Sequence, residues 1–159
     1  MAATEIGRQP DVWGTIYALY LGLLKGRRAA DARSEIVKAL QEETICYQGA
    51  VRHVPTNHDA SPVSAWERTL TPHNHYQNGA YWHTPSGWLI AVLAKESPDW
   101  ARQIFNGMIE HFRKEDFRKG EEFHAPWECL GKNGLFRSNP LFIGSVAVPF
   151  AALKDPIET

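Results

Sequence analysis

Tyr76-Gln-Asn-Gly-Ala-Tyr-Trp-His-Thr-Pro-Ser-Gly-Trp88 runs straight into Leu89-Ile-Ala-Val-Leu-Ala94. The second piece carries no charge and is apolar on most sides, which reads as a helix buried on most sides. Thr84-Pro85 marks its start, an N-cap followed by proline at the first helical position, and it runs to about residue 95. The first piece is of another kind. It packs aromatics, an amide pair, a glycine and a histidine into thirteen residues. Aromatic faces cover the C–H face of a sugar ring, while amides and imidazole read its hydroxyls, so this segment points to carbohydrate.

Four more helices follow from the same kind of reading on either side. Residues 11–24 are apolar nearly all round, through Val12, Trp13, Ile16, Leu19 and Leu23, and are expected to be buried all round. Residues 29–43 have an apolar stripe of Ala32, Ile36 and Leu40 against Arg33, Glu35, Lys38 and Glu42, a surface helix. Ser97-Pro98-Asp99 opens another surface helix, with Trp100, Ile104, Met108 and Phe112 on one face. Asn139-Pro140 is read as the start of the fifth, which is apolar to about Leu153 and is expected to kink at Pro149.

Buried and surface helices therefore alternate. Two connectors are short, and two are long, of about 40 and about 24 residues, a length that in a compact domain usually carries function. Antiparallel helices place both long connectors at the same end of the molecule. Cys46 to Val54 also looks strand-like and could pair with the Trp66 to Leu70 region. The expected fold class is all-α: antiparallel hairpins in one domain spanning 1–159, ordered over about 11–153, with two functional loops at one end.

Composition removes several functions. The chain has 159 residues and a net charge of −1, with no basic stripe, so nucleic acid is not expected as a partner. The longest apolar run, residues 12–24, is too short for a bilayer, and no signal peptide is visible at the N-terminus, so a cytoplasmic location is the default expectation. Cys46 and Cys129 read as buried thiols without zinc spacing. His73-x-His75, with His53 and His58, raises the question of a metal, but no third ligand stands at a telling spacing. Neither metal nor cofactor is expected.

Tyr76-Gln-Asn-Gly-Ala-Tyr-Trp82 ahead of a buried helix resembles the Tyr-x-Asn-Gly-x-x-Trp signature of the six-hairpin, (α/α)6-toroid glycosidases, such as the amylo-α-1,6-glucosidase, processing α-glucosidase and neutral invertase-like enzymes. Ala125-Pro-Trp-Glu-Cys-Leu-Gly131 with Ile143-Gly-Ser-Val-Ala147 is similar to their final segment, in which a Glu precedes a glycine-bearing loop and the last inner helix. The resemblance covers about residues 11–153 and implies the C-terminal part of a toroid. It implies a glycoside hydrolase with Glu128 as general base. The hairpin that supplies the second carboxylate, the general acid, has no counterpart here. Five helices do not close a ring of twelve, so open apolar edges and self-association, or pairing with the missing part, are expected.

Each candidate has a plainer reading beside it. Glu128, between Trp127 and Cys129, has apolar neighbours that would raise its pKa, or it is a structural carboxylate that caps a loop or pairs with Arg137. Gln77 and Asn78 hydrogen-bond hydroxyls, or Asn78-Gly79 is simply a turn. Tyr76 and Trp82 form a sugar platform, with Trp127 as a second and Trp88 more plausible as core. His83, just before a helix start, meets a ligand or serves as a structural hydrogen-bonder. Arg52 and His53 read hydroxyls or pair with Asp59 or Glu67, and Asp59 also reads as a turn residue. The competing functions are a glycosidase, a non-catalytic carbohydrate-binding fragment and a helical scaffold that self-associates.

Overall fold

A computed structural model describes residues 1, 9–55, 71–72, 74–132 and 136–154. Among these, five helices are present: α1 Val12–Tyr20, α2 Gly26–Gln41, α3 Ser86–Leu93, α4 Pro98–Lys114 and α5 Gly144–Lys154. Asp11 caps α1 by accepting from the Gly14 N–H at 2.8 Å, which satisfies one of the orphan donors of the first turn. Pro98 opens α4, Asp99 lies in its first turn, and Arg113 and Lys114 lie in its last, each on the favourable end of the dipole.

The helices pack as a row, with α3 between α1 and α5, while α4 lies against α3 and α2 against α1. Gly87 makes the α3–α5 approach possible, because a Cβ there would sit 2.6 Å from Pro149 Cα. α5 continues through Pro149 to Lys154. Val12, Ile16 and Leu19 of α1, Ile36 and Leu40 of α2, Leu89 and Leu93 of α3, and Ile104 and Met108 of α4 form the main core.

The all-α expectation, and the partial toroid with it, is overturned by a five-stranded antiparallel sheet built from the two long connectors. Its strands are β1 Cys46–Tyr47, β2 Ala50–Arg52, β3 Tyr81–Trp82, β4 Cys129–Leu130 and β5 Arg137–Ser138, paired in sequence order. The physical reason is that the segments forming β2, β3 and β4 are buried, and buried backbone N–H and C=O groups need partners. β3 belongs to the first connector and β4 to the second, so their pairing at Tyr81–Leu130 joins the two. The Cys46 to Val54 stretch, expected as a single strand, instead holds two strands that fold back at Gln48-Gly49, where φ is 51° and 75°, as a tight antiparallel turn requires. The Trp66 to Leu70 partner lies outside the described residues.

Two burial expectations also change. Tyr17 of α1 is 43% exposed, and Ile143 before α5 and Phe150 within it are 73% and 65% exposed. α5 packs mainly on α3, which leaves its other flank open, and α1, though it meets α2, α3 and β2, keeps Tyr17 at its surface. Only α3, with neighbours on three sides, is buried as its sequence suggests. The fifth helix also begins at Gly144 rather than at Asn139-Pro140, because Arg137–Ser138 is a strand and residues 139–141 form a turn.

Candidate functional site

Two turns with left-handed backbone converge on one carboxylate. The first follows Pro72, where Asn74, Tyr76 and Gly79 have φ of 63°, 43° and 101°. The His75 N–H donates to the Pro72 carbonyl at 3.2 Å, Asn78 N–H to His75 at 2.9 Å and Ala80 N–H to Tyr76 at 3.1 Å. Arg52 on β2 holds this turn from the side. Its Nε donates to the Gly79 carbonyl at 2.7 Å and its Nη2 to Asn74 Oδ1 at 2.8 Å, while the guanidinium lies 5.0 Å from the Tyr81 ring centroid. Asn78 is buried, and its Nδ2 donates to the Thr71 carbonyl at 2.9 Å. Arg52 and Asn78 therefore shape the turn, and the exposed side chain of Gln77 sits at its tip.

The second turn follows β5. Asn139 and Leu141 have φ of 45° and 58°. The Glu128 N–H is shared between the Ser138 and Asn139 carbonyls, at 3.1 and 3.0 Å, and Phe142 N–H donates to the Pro126 carbonyl at 2.8 Å. Ser145 at the start of α5 donates through Oγ to the Trp127 carbonyl at 2.6 Å. The strand end that bears Glu128 is thereby pinned from both sides.

Glu128 is only 7% exposed, yet both its oxygens have donors. Tyr76 Oη donates to Oε1 at 3.3 Å, and Asn139 Nδ2 makes a short hydrogen bond to Oε2. The apolar sequence neighbours do not surround the carboxylate. Trp127 packs with Tyr81 and Leu130, and Cys129 with Ala80 and Trp82. The charge of Glu128, together with its hydrogen bond, raises the pKa of the Tyr76 phenol, so the proton stays on Tyr76. Each carboxylate oxygen keeps a second lone pair for a further donor. Left-handed backbone at a residue as bulky as tyrosine costs about 1–3 kcal/mol, and such strain clusters at functional sites.

An aromatic file backs the site. Tyr76 meets Trp82 at 5.1 Å between centroids, Trp82 meets Trp13 edge-on at 5.4 Å, and Trp13 meets His53 at 5.0 Å. Trp82 is buried with rings on two sides, which makes it a support for Tyr76 rather than an open platform. His53 Nε2 stands 3.7 Å from Asp11 Oδ1. Burial lowers its pKa, with Asp11 and a hydrogen bond to the Gln77 backbone partly opposing.

The other predicted residues lie elsewhere. His83 is buried, with Nε2 3.1 Å from the Gln48 carbonyl, and stacks on His111 at 5.1 Å and 14°. Burial, helped by His111, pushes its pKa down to about 3, so it is neutral. Trp127 donates through Nε1 to Glu115 Oε2 at 2.8 Å and lies under the Arg137 guanidinium at 5.5 Å. Arg137 pairs with Glu115 at 2.7 Å, not with Glu128. Trp88 packs against the core and meets Tyr17 at 4.5 Å. Asn139 is the residue that sequence reasoning missed. Its signal was the Asn-Pro dipeptide, which suits a turn as well as a helix start.

Among the described residues no group of three or more His, Cys, Asp and Glu side chains could hold a metal ion, and no helix is long and apolar enough to cross a membrane. His58, Asp59, Trp66, Glu67 and His73 lie outside the described residues. Cys46 and Cys129 are free thiols, both pushed up to about 12 by burial. The chain matches no known protein family, no curated protein and no solved structure.

Proposed function

We propose that this chain is a glycoside hydrolase-like protein acting on an oligosaccharide or glycoside, with Glu128 as general base. The observation that carries the reading is the Glu128 carboxylate, held by Tyr76 and Asn139 from two turns whose backbone is left-handed at both donors. The likeness of residues 76–82 and 125–131 to six-hairpin glycosidases supports the same residue. In this reading Glu128 takes a proton from water as the water oxygen attacks the anomeric carbon. The bond from that carbon to the leaving oxygen breaks, and an acid protonates the leaving oxygen. Tyr76 offers the half-buried ring against which the sugar packs, and Gln77, whose backbone hydrogen-bonds His53, lies beside it.

The test is hydrolysis of a panel of aryl glycosides and oligosaccharides by the wild type and Glu128→Gln. A general base is worth about 10²–10⁴-fold, so turnover falls by that factor while sugar affinity changes little. Undiminished turnover in Glu128→Gln removes the assignment. A second reading, a carbohydrate-binding protein without turnover, is favoured by one observation. Both Glu128 oxygens already accept hydrogen bonds, from Tyr76 and Asn139, which suits a fixed acceptor for sugar hydroxyls. Binding without hydrolysis in the wild type selects it.

Self-association belongs to the same proposal. Ile143, Val146 and Phe150 form one exposed apolar strip along α5, and such patches mark interaction surfaces. Val146→Lys with Phe150→Lys shifts the chain to monomer in sedimentation velocity. A wild type that is already monomeric removes this part.

A further inference from the structure

We propose that the pocket between the β1–β2 hairpin turn and α4 is a second ligand site, one that takes a neutral saccharide independently of Glu128. The pocket has a volume of about 360 Å³, and Tyr76, Glu128 and Asn139 are not among its lining residues. That volume lies within the range of small-molecule sites. Tyr47 of β1 and Trp100 of α4 present half-buried rings to it. Gln41 at the end of α2, Gln48 of the hairpin turn and Gln103 of α4 surround these rings with exposed side chains. Among the described residues, none of the three amides has a side-chain hydrogen-bond partner, so each is available to a ligand.

The wall that carries Gln48 is set before any ligand arrives. The Gln48 carbonyl faces His83 Nε2 at 3.1 Å, and the Gly49 carbonyl accepts from Ser86 Oγ at 2.6 Å. Gly49 itself lies so close to α4 that a Cβ would stand 2.3 Å from Met108 N. A fixed backbone with free amides on it is a pre-organised recognition surface, which lowers the ordering cost of binding. The chemistry selects the ligand class. Glu43 and Lys132, also on the lining, have opposite charges, so the pocket has no net sign with which to hold an ion. Primary amides both donate and accept, as sugar hydroxyls do, and an indole face covers a ring of C–H groups.

The experiment is a nitrogen-15 NMR titration of the full chain with methyl α-glucoside, methyl β-galactoside and methyl α-mannoside. It follows the Trp100 indole N–H and the side-chain amides of Gln48 and Gln103. We expect saturable shifts of all three with at least one glycoside. The double variant Gln48→Ala with Gln103→Ala should bind about tenfold more weakly, since two hydrogen bonds to the ligand are lost and partly replaced by water. Both positions are exposed, so the fold survives. The absence of saturable shifts, or unchanged affinity in the double variant, overturns the proposal. Glu128→Gln separates it from the first site. Pocket shifts that persist in that variant support an independent site, and pocket shifts that vanish with Glu128 overturn it. Failure of Glu128 as a base leaves the pocket shifts untouched.

Discussion

The two faces of the five-stranded sheet are built by opposite rules. One carries Trp82 and Cys129, and near it lies the Tyr76–Glu128–Asn139 cluster, where polar groups meet through turns with strained backbone. The other carries Tyr81 and Leu130, with Trp127 packed against them and His83, His111, Glu115 and Arg137 beside them. On that second face the charged groups pair with each other, and burial holds the imidazoles neutral. Residues two apart share a face and residues one apart do not. Tyr81 and Trp82, adjacent in the chain, therefore serve different neighbourhoods. The lesson is that a dense aromatic and amide stretch is divided by the pleat. Half of it becomes scaffold, and the residues on the strained side keep their polar groups gathered on one carboxylate.

The sharpest way to break this contrast is to undo the scaffold face at Gly49. Gly49→Ala puts a Cβ into α4 and a side chain at φ 75°. The expected cost is about 3 kcal/mol or more, read as a lower urea midpoint, because steric overlap with backbone adds to left-handed strain. A midpoint close to wild type would mean that the hairpin turn is not fixed against α4.

Acid should loosen the same face next. The His83 pKa falls from its ordinary 6.5 to about 3 in the folded chain. The unfolded chain therefore binds a proton first as pH falls. The stability linked to neutral His83 is complete above pH 6.5 and is lost progressively toward pH 3. By pH 5 the loss is about 2 kcal/mol from this group, and His111, also lowered, adds to it. Urea titrations at pH 7 and pH 5 measure it, and His83→Gln flattens the slope. A pH-independent midpoint would count against a buried neutral pair.

The strained face predicts smaller effects. Asn139→Ala removes a donor from the buried Glu128 and places alanine at φ 45°, a cost of about 1–2 kcal/mol. Asn139→Gly loses the same donor and relieves the backbone, so it should be the milder of the two. Equal costs would show that strain at Asn139 plays no part. The smallest effect is at Tyr76. Tyr76→Phe changes stability by less than about 1 kcal/mol, since its hydrogen bond is long and half-exposed. In an alkaline ultraviolet titration, Tyr76 is among the late-ionising tyrosines. Glu128→Gln brings that ionisation to lower pH, because the charge that raises it is gone.

Five helices were legible from periodicity and cap signals, and four of the five begin within a few residues of where those signals stand. The fifth was misplaced because Asn139-Pro140 serves a turn whose geometry depends on Glu128, eleven residues earlier in the chain. Glu128, Tyr76 and Gln77 were nameable from the local sequence as candidates. The sheet was not legible in the same way. Its strands are two or three residues long, too short to display a period of two, and each exists only because a distant connector supplies its partner.

What the sequence alone determined are the local quantities: the amphipathic and all-apolar helices, the absence of a basic stripe, and the turn at Asn78-Gly79. Each depends on residues a few positions apart, so it is written in the chain directly. What only the tertiary structure decided is which side chains share a neighbourhood. Arg52 went to the turn carbonyls, His83 to His111, Trp127 to Glu115, and Asn139 to Glu128. These pairings join residues up to 28 positions apart, as for His83 and His111. They follow from the pairing of β2 with β3 and of β4 with β5, and from the packing of α4 against the sheet.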